Sequence, residues 1–433
     1  MTETPLRKYD VIVCGGGPAG LGAAIAAARS GARTLIIERL GYFGGMHTGA
    51  GVINWCDSQG GPIFDEMIQR LAALGVVRFN YEERYHVEPG RPNIDTEFSK
   101  MMAMQMLAEA RVEVLLLTIC HRAIVKDNSV TGVEVVNKAG RTVIEAQVVI
   151  DATADADIAA TAGCEFVIGD PDDGRIQHCN FRAWFEGIDH ERARQERPSD
   201  EQLLKWIRQA HEDGRITPPE NLFQPQAETF PYNTRTNNLD VTSWEFERVN
   251  PLDPWQVSRT LAQCNIAVLQ LVSFFREYLP GYEACRIRKM ADVLGVRESR
   301  RIVGYYTLTE GDVRSGSKFE DGIAEACFFM DLHDSPPGRT IPYTAEEIWE
   351  GRPRRGDWYD IPYGCLLPLH IDQILVAGRC ISAERIAHGS ARVMTTCMYL
   401  GTAAGVAAAM SAHSGITVAA LEGAFIREGI RAI

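Results

Sequence analysis

Residues 11–14 form an unbroken apolar run, too short for a helix and stopped by Gly15, the pattern of a fully buried strand. Small residues then run from Pro18 to Gly31, and a second apolar run over 33–37 ends at Glu38. Strand, glycine turn, small-residue helix, strand and terminal acid come in the order that a βαβ unit requires. Apolar positions at helical spacing predict amphipathic helices over 62–75 and 96–110. β-rich segments over 112–119, 122–125, 131–136 and 142–150, with turns at Asp127-Asn128 and 138–140, predict a meander. The end of the last segment, 148–150, is wholly apolar and runs into Asp151, Asp155 and Asp157.

From about 165 the pattern loses its regularity, and Trp, Phe, Asn, Pro and charged residues alternate without a second βαβ signature. Order returns with an apolar strand over 374–377, which leads through Gly378 and Arg379 to a helix of small residues over 397–409. The two ends therefore read as one nucleotide domain, 1–164 and 360–433, interrupted by a domain over 165–359. The expected class is α/β: a Rossmann-like domain with a β-meander, plus an inserted α+β substrate domain.

The glycine turn has the spacing Gly15-x-Gly17-x-x-Gly20. Gly15 permits the tight turn, Gly17 lets the backbone approach a pyrophosphate, and Gly20 lets the helix pack on the sheet. N–H groups at the helix start, around Pro18 and Ala19, suit a doubly negative ligand, and Glu38 suits ribose hydroxyls. A bound dinucleotide follows.

Composition acts mainly by exclusion. The chain has 433 residues, room for two or three domains, and its 45% apolar and 23% charged content is that of a globular protein. Its 44 basic and 57 acidic side chains give a net charge of −13, which argues against nucleic acid or an anionic membrane as partner. The densest basic stretch, 352–355, reads as a solvated loop. No secretory leader is expected from residues 1–9, and the small-residue runs 19–28 and 400–412 are too short to span a bilayer. Eleven cysteines without a C-x-x-C pair suit a reducing compartment, so no metal site and a cytoplasmic location are expected.

Five segments together resemble the bacterial FAD-dependent oxidoreductases that share the glutathione-reductase-type FAD fold and are related to the succinate dehydrogenase and fumarate reductase flavoproteins. They are the glycine turn with Glu38, the Gly44-Gly45 loop, residues 150–157, residues 294–304, and residues 361–397. The resemblance implies FAD rather than NAD, which the single GxGxxG also favours. It assigns Glu38, Arg39, Gly44, Gly45, Thr48, Asp155, Gly378 and Arg379 to the cofactor site. It also implies that the last helix aims its start, Met394 and Thr395, at the flavin. The loop Met46-His47-Thr48 resembles the one whose histidine bonds covalently to the flavin 8α-methyl in succinate dehydrogenases. His47 either carries that bond or only hydrogen-bonds the loop or the diphosphate. Three positions depart from the family pattern: Ala154 stands where Gly is usual, Gly364 where Arg is common, and Arg385 where His is frequent.

A carbon that loses hydride also needs a proton acceptor. His333 is one candidate, because Asp331 shares its face if that stretch is extended. His388, expected in a loop before the last helix, is the other. Arg297 and Arg392 lie in family-like segments and suit a substrate carboxylate or the charge of a reduced flavin. Arg182, Arg235, Arg300 and Arg301 are further candidates, with ordinary ion pairs as the alternative. Trp184, Phe185, Tyr232 and Trp244 form either an aromatic cavity or plain core. The expected activity is FAD-dependent oxidation of a small organic molecule by hydride transfer to flavin N5, at a C–H next to O or N or as α,β-dehydrogenation. The substrate would bind between the two domains, and oxygen or another acceptor would reoxidise the flavin. The alternatives are an NAD(P)H-dependent flavin reductase or monooxygenase, a tRNA-modifying flavoprotein, and a subunit of an electron-transfer complex. Substrate and oligomeric state are left open by the pattern.

Overall fold

The computed structural model describes residues 8–56, 58–80, 91–223, 241–334, 350, 351, 353 and 356–433. Tyr232, Arg235 and residues 352, 354 and 355 of the basic stretch lie outside them. The chain divides into two compact units. The first is Met1–Thr48, Val52–Gly174 and Glu298–Ile433; the second is Gly49–Gly51 and Arg175–Arg297. Residues 298–334 and 356–359, expected in the insert, thus fall in the unit of the nucleotide half. Ile302 N–H donates to Cys380 O at 3.0 Å, Tyr305 N–H to Leu367 O at 3.1 Å, and Gly322–Ala326 pairs with Tyr359–Pro362.

The first unit is built on a seven-stranded sheet. Its first strand, Lys8–Cys14, runs parallel to Thr34–Ile37 on one side and to Gly140–Asp151 on the other. Burial on both faces explains the unbroken apolar run. The strand Gly140–Asp151 changes partner along its length. Residues 140–145 pair antiparallel with the meander strand Ser129–Asn137, and residues 149–151 pair parallel with Ile374–Val376. The late strand thereby completes the sheet begun by the early ones.

The segment 112–119, expected as one strand of the meander, is split. Glu113–Leu115 joins the parallel edge beside Thr34–Ile37, and Ile119–Lys126 opens the meander. Leu117 between them has φ +52°, and the N–H of Thr118 is turned to the carbonyl of Glu38 at 3.1 Å. The helix Thr96–Glu109 starts where sequence places it, capped by Asp95, whose carboxylate accepts from the N–H groups of Glu97 and Phe98.

Two small-residue helices, Pro18–Arg29 and Met394–Ser414, pack directly on each other. A Cβ at Gly401 would overlap the carbonyl oxygen of Ala19, and one at Gly405 that of Ala23. Each helical glycine costs about 0.5–1 kcal/mol relative to alanine. The close approach they permit is what offsets that cost. Among the described residues no single helix is long and apolar enough to cross a membrane.

In the second unit a three-stranded antiparallel sheet has the order Val241–Phe246, Cys179–Glu186, Arg286–Met290. Phe181, Phe185, Trp244 and Phe246 sit in its core with residues of the helices Asp200–Glu212 and Pro254–Tyr278. Side chains alternate along a strand, so Asn180, Arg182 and Trp184 take the opposite face. Phe185 and Trp244 are therefore core, on the other side of the sheet from Trp184, and the three do not line one cavity.

Candidate functional site

The first strand ends in a turn whose Gly15 has φ +102°, where a Cβ would also collide with Ala152. Gly20 packs its helix onto that turn, with no room for a Cβ against the carbonyl of Gly15. Gly17 differs: a Cβ there would meet only Gly45 Cα, at 3.8 Å, among the described residues. The second glycine loop lies alongside, its Gly44 N–H donating to Gly16 O at 2.8 Å. Thr48 braces this loop from within by donating to Phe43 O at 2.8 Å. The helix Pro18–Arg29 has neither a side-chain cap nor an acid in its first turn, so its orphan N–H groups are left for an anion.

Glu38 is buried at the end of the second strand, its two oxygens accepting from Gly16 N–H at 2.6 Å and Leu40 N–H at 2.8 Å. Burial pushes its carboxyl above the usual range, and these N–H groups pull it back. Arg39 is exposed beside it.

The acid-rich turn is organised by a residue the sequence reading did not single out. Asp151, fully buried, accepts from Thr153 through one oxygen and from the N–H groups of Ile158 and Ala159 through the other. It caps the helix Asp157–Ala162 from a distance. Ala154 has φ +70°, which explains why glycine is usual there. Arg379 clamps the same turn, donating to Ala154 O at 3.1 Å and Asp155 Oδ1 at 2.6 Å. Ser299 bonds the same Asp155 oxygen at 2.6 Å. Gly378, at φ +96°, lets this segment close on Ala19. Gly364 lies against Tyr306, 3.0 Å from a would-be Cβ, so no arginine fits there.

His47 is buried with both ring nitrogens engaged, Nδ1 with Val52 O at 2.9 Å and Nε2 with Ser99 Oγ at 2.8 Å. Both bonds brace the loop, which is the second of the two roles expected of His47.

The last helix has no side-chain cap at Val393, and Thr395 anchors its start by donating to Cys56 O at 2.9 Å, with Met394 half-buried beside it. His388 is not in a loop: it lies within the helix Arg385–Ala391 and is fully buried. Its Nε2–H donates to Arg379 O at 2.7 Å, and burial together with the charges of Arg301 and Arg392 pushes its pKa well below the ordinary value. Such a ring stays neutral and holds backbone, which does not suit a proton acceptor for a substrate. His333, by contrast, is half-buried and meets Asp331 Oδ2 at 3.0 Å. Arg392 donates to the same Asp331 oxygen at 3.2 Å and to its carbonyl at 2.9 Å. Gly389 lets the backbone of Asp331 approach to 3.0 Å of a would-be Cβ.

Arg300 and Arg301 are engaged by acids. Arg300 bonds Asp157 at 2.9 Å, and Arg301 is paired with Glu298 and donates to Gly169 O at 3.0 Å. Glu298, fully buried, also meets Arg385, which reaches Asp334 at 2.9 Å. Arg385 thus belongs to a buried ion-pair network. The signal available in the sequence was Glu298 set three residues before Arg301, in a stretch bounded by apolar residues.

In the second unit Arg297 donates to His178 O at 2.6 Å and to Glu245 Oε1 at 3.1 Å, which ties a strand end rather than presenting a free guanidinium. Arg182 donates to Gly51 O at 3.2 Å. Around Arg297 sits a polar cluster of His178, Asn180 and Glu245 that the sequence pattern did not mark.

Comparison with known proteins completes the picture. The profile of the FAD dependent oxidoreductase family matches residues 10–430. A thiamine thiazole synthase of Aeropyrum pernix is 35% identical over 136 residues, 30% of this chain and 46% of that protein. The chain thus spans less than half the length of that curated relative. A geranylgeranyl bacteriochlorophyll reductase-like protein from Thermoplasma acidophilum is 12% identical, with a TM-score of 0.45 over 99% of this chain and 83% of the other. A p-nitrophenol 4-monooxygenase from Pseudomonas putida is 14% identical, with a TM-score of 0.41 over 98% and 81%. Because the family profile runs through both glycine loops, the acid-rich turn and the last helix, the chain belongs to the FAD dependent oxidoreductase family and is a flavoenzyme with FAD as cofactor.

Proposed function

We propose that the enzyme dehydrogenates a small organic substrate, the substrate carbon giving up hydride and His333 taking the accompanying proton. The observation that carries this reading is the Asp331–His333–Arg392 constellation. His333 donates Nε2–H to Asp331, so Nδ1 is the atom on which the ring takes up a proton. Asp331 fixes the tautomer and stabilises the cation that forms, and Arg392 fixes Asp331.

Gly15, Gly17, Gly44, Gly45 and the uncapped start of Pro18–Arg29 suit the pyrophosphate, and Glu38 suits the ribose. When bound, FAD supplies the hydride acceptor and passes the electrons on to oxygen or another acceptor. The balance would be complete: substrate H–C–X–H would become C=X, with FAD supplying the hydride acceptor and His333 holding the proton.

Anaerobic mixing of the FAD-loaded enzyme with alcohols, amines and saturated acids tests the reading. At least one class is expected to bleach the flavin, about 10²–10⁴-fold more slowly in His333→Gln. Bleaching by NADPH alone, with none by these classes, overturns it in favour of a reductase or monooxygenase.

A further inference from the structure

We infer that the polar face of the second unit's sheet binds a neutral, hydroxylated small molecule through His178 and Asn180. His178 immediately precedes the strand Cys179–Glu186 and Asn180 lies two residues on within it, and both stand beside Glu245. They are 5% and 4% exposed. Among the described residues, His178 Nδ1 and Asn180 Oδ1 have no hydrogen-bond partner. Buried polar atoms are almost always satisfied, and leaving two orphaned is costly unless something supplies the missing bonds.

The surroundings select the chemistry. Glu245, paired with Asn180 across the sheet, stands 3.7 Å from His178 Nδ1, beyond hydrogen-bond reach, so it does not satisfy that nitrogen. Its charge is already answered by Arg297 at 3.1 Å, and Arg297 is held in turn by His178 O. Arg182, next along the same face, is turned to Gly51 O. A carboxylate would therefore sit beside the charge of Glu245 and an ammonium beside those of Arg297 and Arg182, which disfavours both. A hydroxyl both donates and accepts, so it serves Asn180 whichever way the amide is turned and His178 in either tautomer. Phe223, its ring 5.0 Å from that of His178, offers an apolar wall for the carbon skeleton.

The site is argued from the second unit alone and stands apart from the dehydrogenase reading.

The test is thermal melting and titration calorimetry of the full-length, FAD-loaded enzyme with glycerol, cyclohexanol and D-mannitol, against acetate and ethylamine. At least one alcohol should bind and raise the melting temperature, and neither ionic probe should. Asn180→Leu keeps the volume and deletes the orphan, so it should melt at the same or a higher temperature yet lose at least about tenfold in alcohol affinity. His178→Leu should lose affinity likewise, and it serves if the first variant does not fold. An absence of binding by every alcohol, tighter binding of the ionic probes, or alcohol binding that survives both substitutions overturns the site. Alcohol binding supports the site whether or not the flavin bleaches, so this test and that of the dehydrogenase reading fail independently.

Discussion

Replacing His388 by glutamine should change how stability depends on pH while leaving the fold intact. The wild-type ring is fully buried, donates Nε2–H to Arg379 O, and is pushed toward the neutral form by burial and by the charges of Arg301, Arg392 and Arg379. In the unfolded chain the same ring takes a proton near its ordinary pKa of 6.5. Below that pH the unfolded state binds a proton that the folded state refuses, so stability falls as pH falls. Above pH 6.5 the contribution is fully present. The slope of one such group is about 1.4 kcal/mol per pH unit, which gives about 2 kcal/mol lost between pH 7.5 and 5.0. In the His388→Gln variant the side-chain amide can donate the same bond without titrating. Urea unfolding of both proteins at a series of pH values provides the assay, and the difference between the two curves isolates this residue from the other histidines. Parallel curves down to about pH 5 would refute the reasoning.

Ala154→Gly should raise stability by about 1 kcal/mol, seen as a melting temperature about 1 °C higher and a higher urea midpoint, because it relieves a left-handed alanine at φ +70°. Gly401→Ala should cost about 1–3 kcal/mol and weaken FAD binding, since its methyl displaces the helix start at Ala19; melting and flavin fluorescence titration report both. Acid precipitation of the yellow enzyme should release FAD into the supernatant, because both nitrogens of His47 are held by protein groups; colour retained in the pellet and lost in His47→Ala contradicts this.

The nucleotide half was readable because its rules are local. A glycine turn, a small-residue helix and a strand ending in Glu38 are adjacent in the chain, so spacing alone reveals them. The partnership of Pro18–Arg29 with Met394–Ser414 was foreshadowed by glycine content, but the register of Gly401 on Ala19 needs the fold. Asp331 and His333 met because an i, i+2 contact is also local. What stayed hidden is non-local. Nothing within a short window says that Asp151 will cap a helix start at Ile158 and Ala159, that Glu298 will sit between two arginines, or that His388 will turn its proton to Arg379 O. The break at Leu117 was missed because an apolar run carries no mark of the carbonyls of Leu40 and Glu38 that bend it.

The close seating of Pro18–Arg29 against Met394–Ser414 also imposes a timetable on biosynthesis. The early helix leaves the ribosome with its contact face bare, and at about 5–20 residues per second its mate follows roughly 20–70 s later. Until then the turn at Gly15–Gly17 has no rigid backing, and the strand Ile374–Val376 that finishes the sheet is also still to come. Cofactor capture therefore waits on two segments more than 330 residues downstream of the glycine turn, Ile374–Val376 and Met394–Ser414.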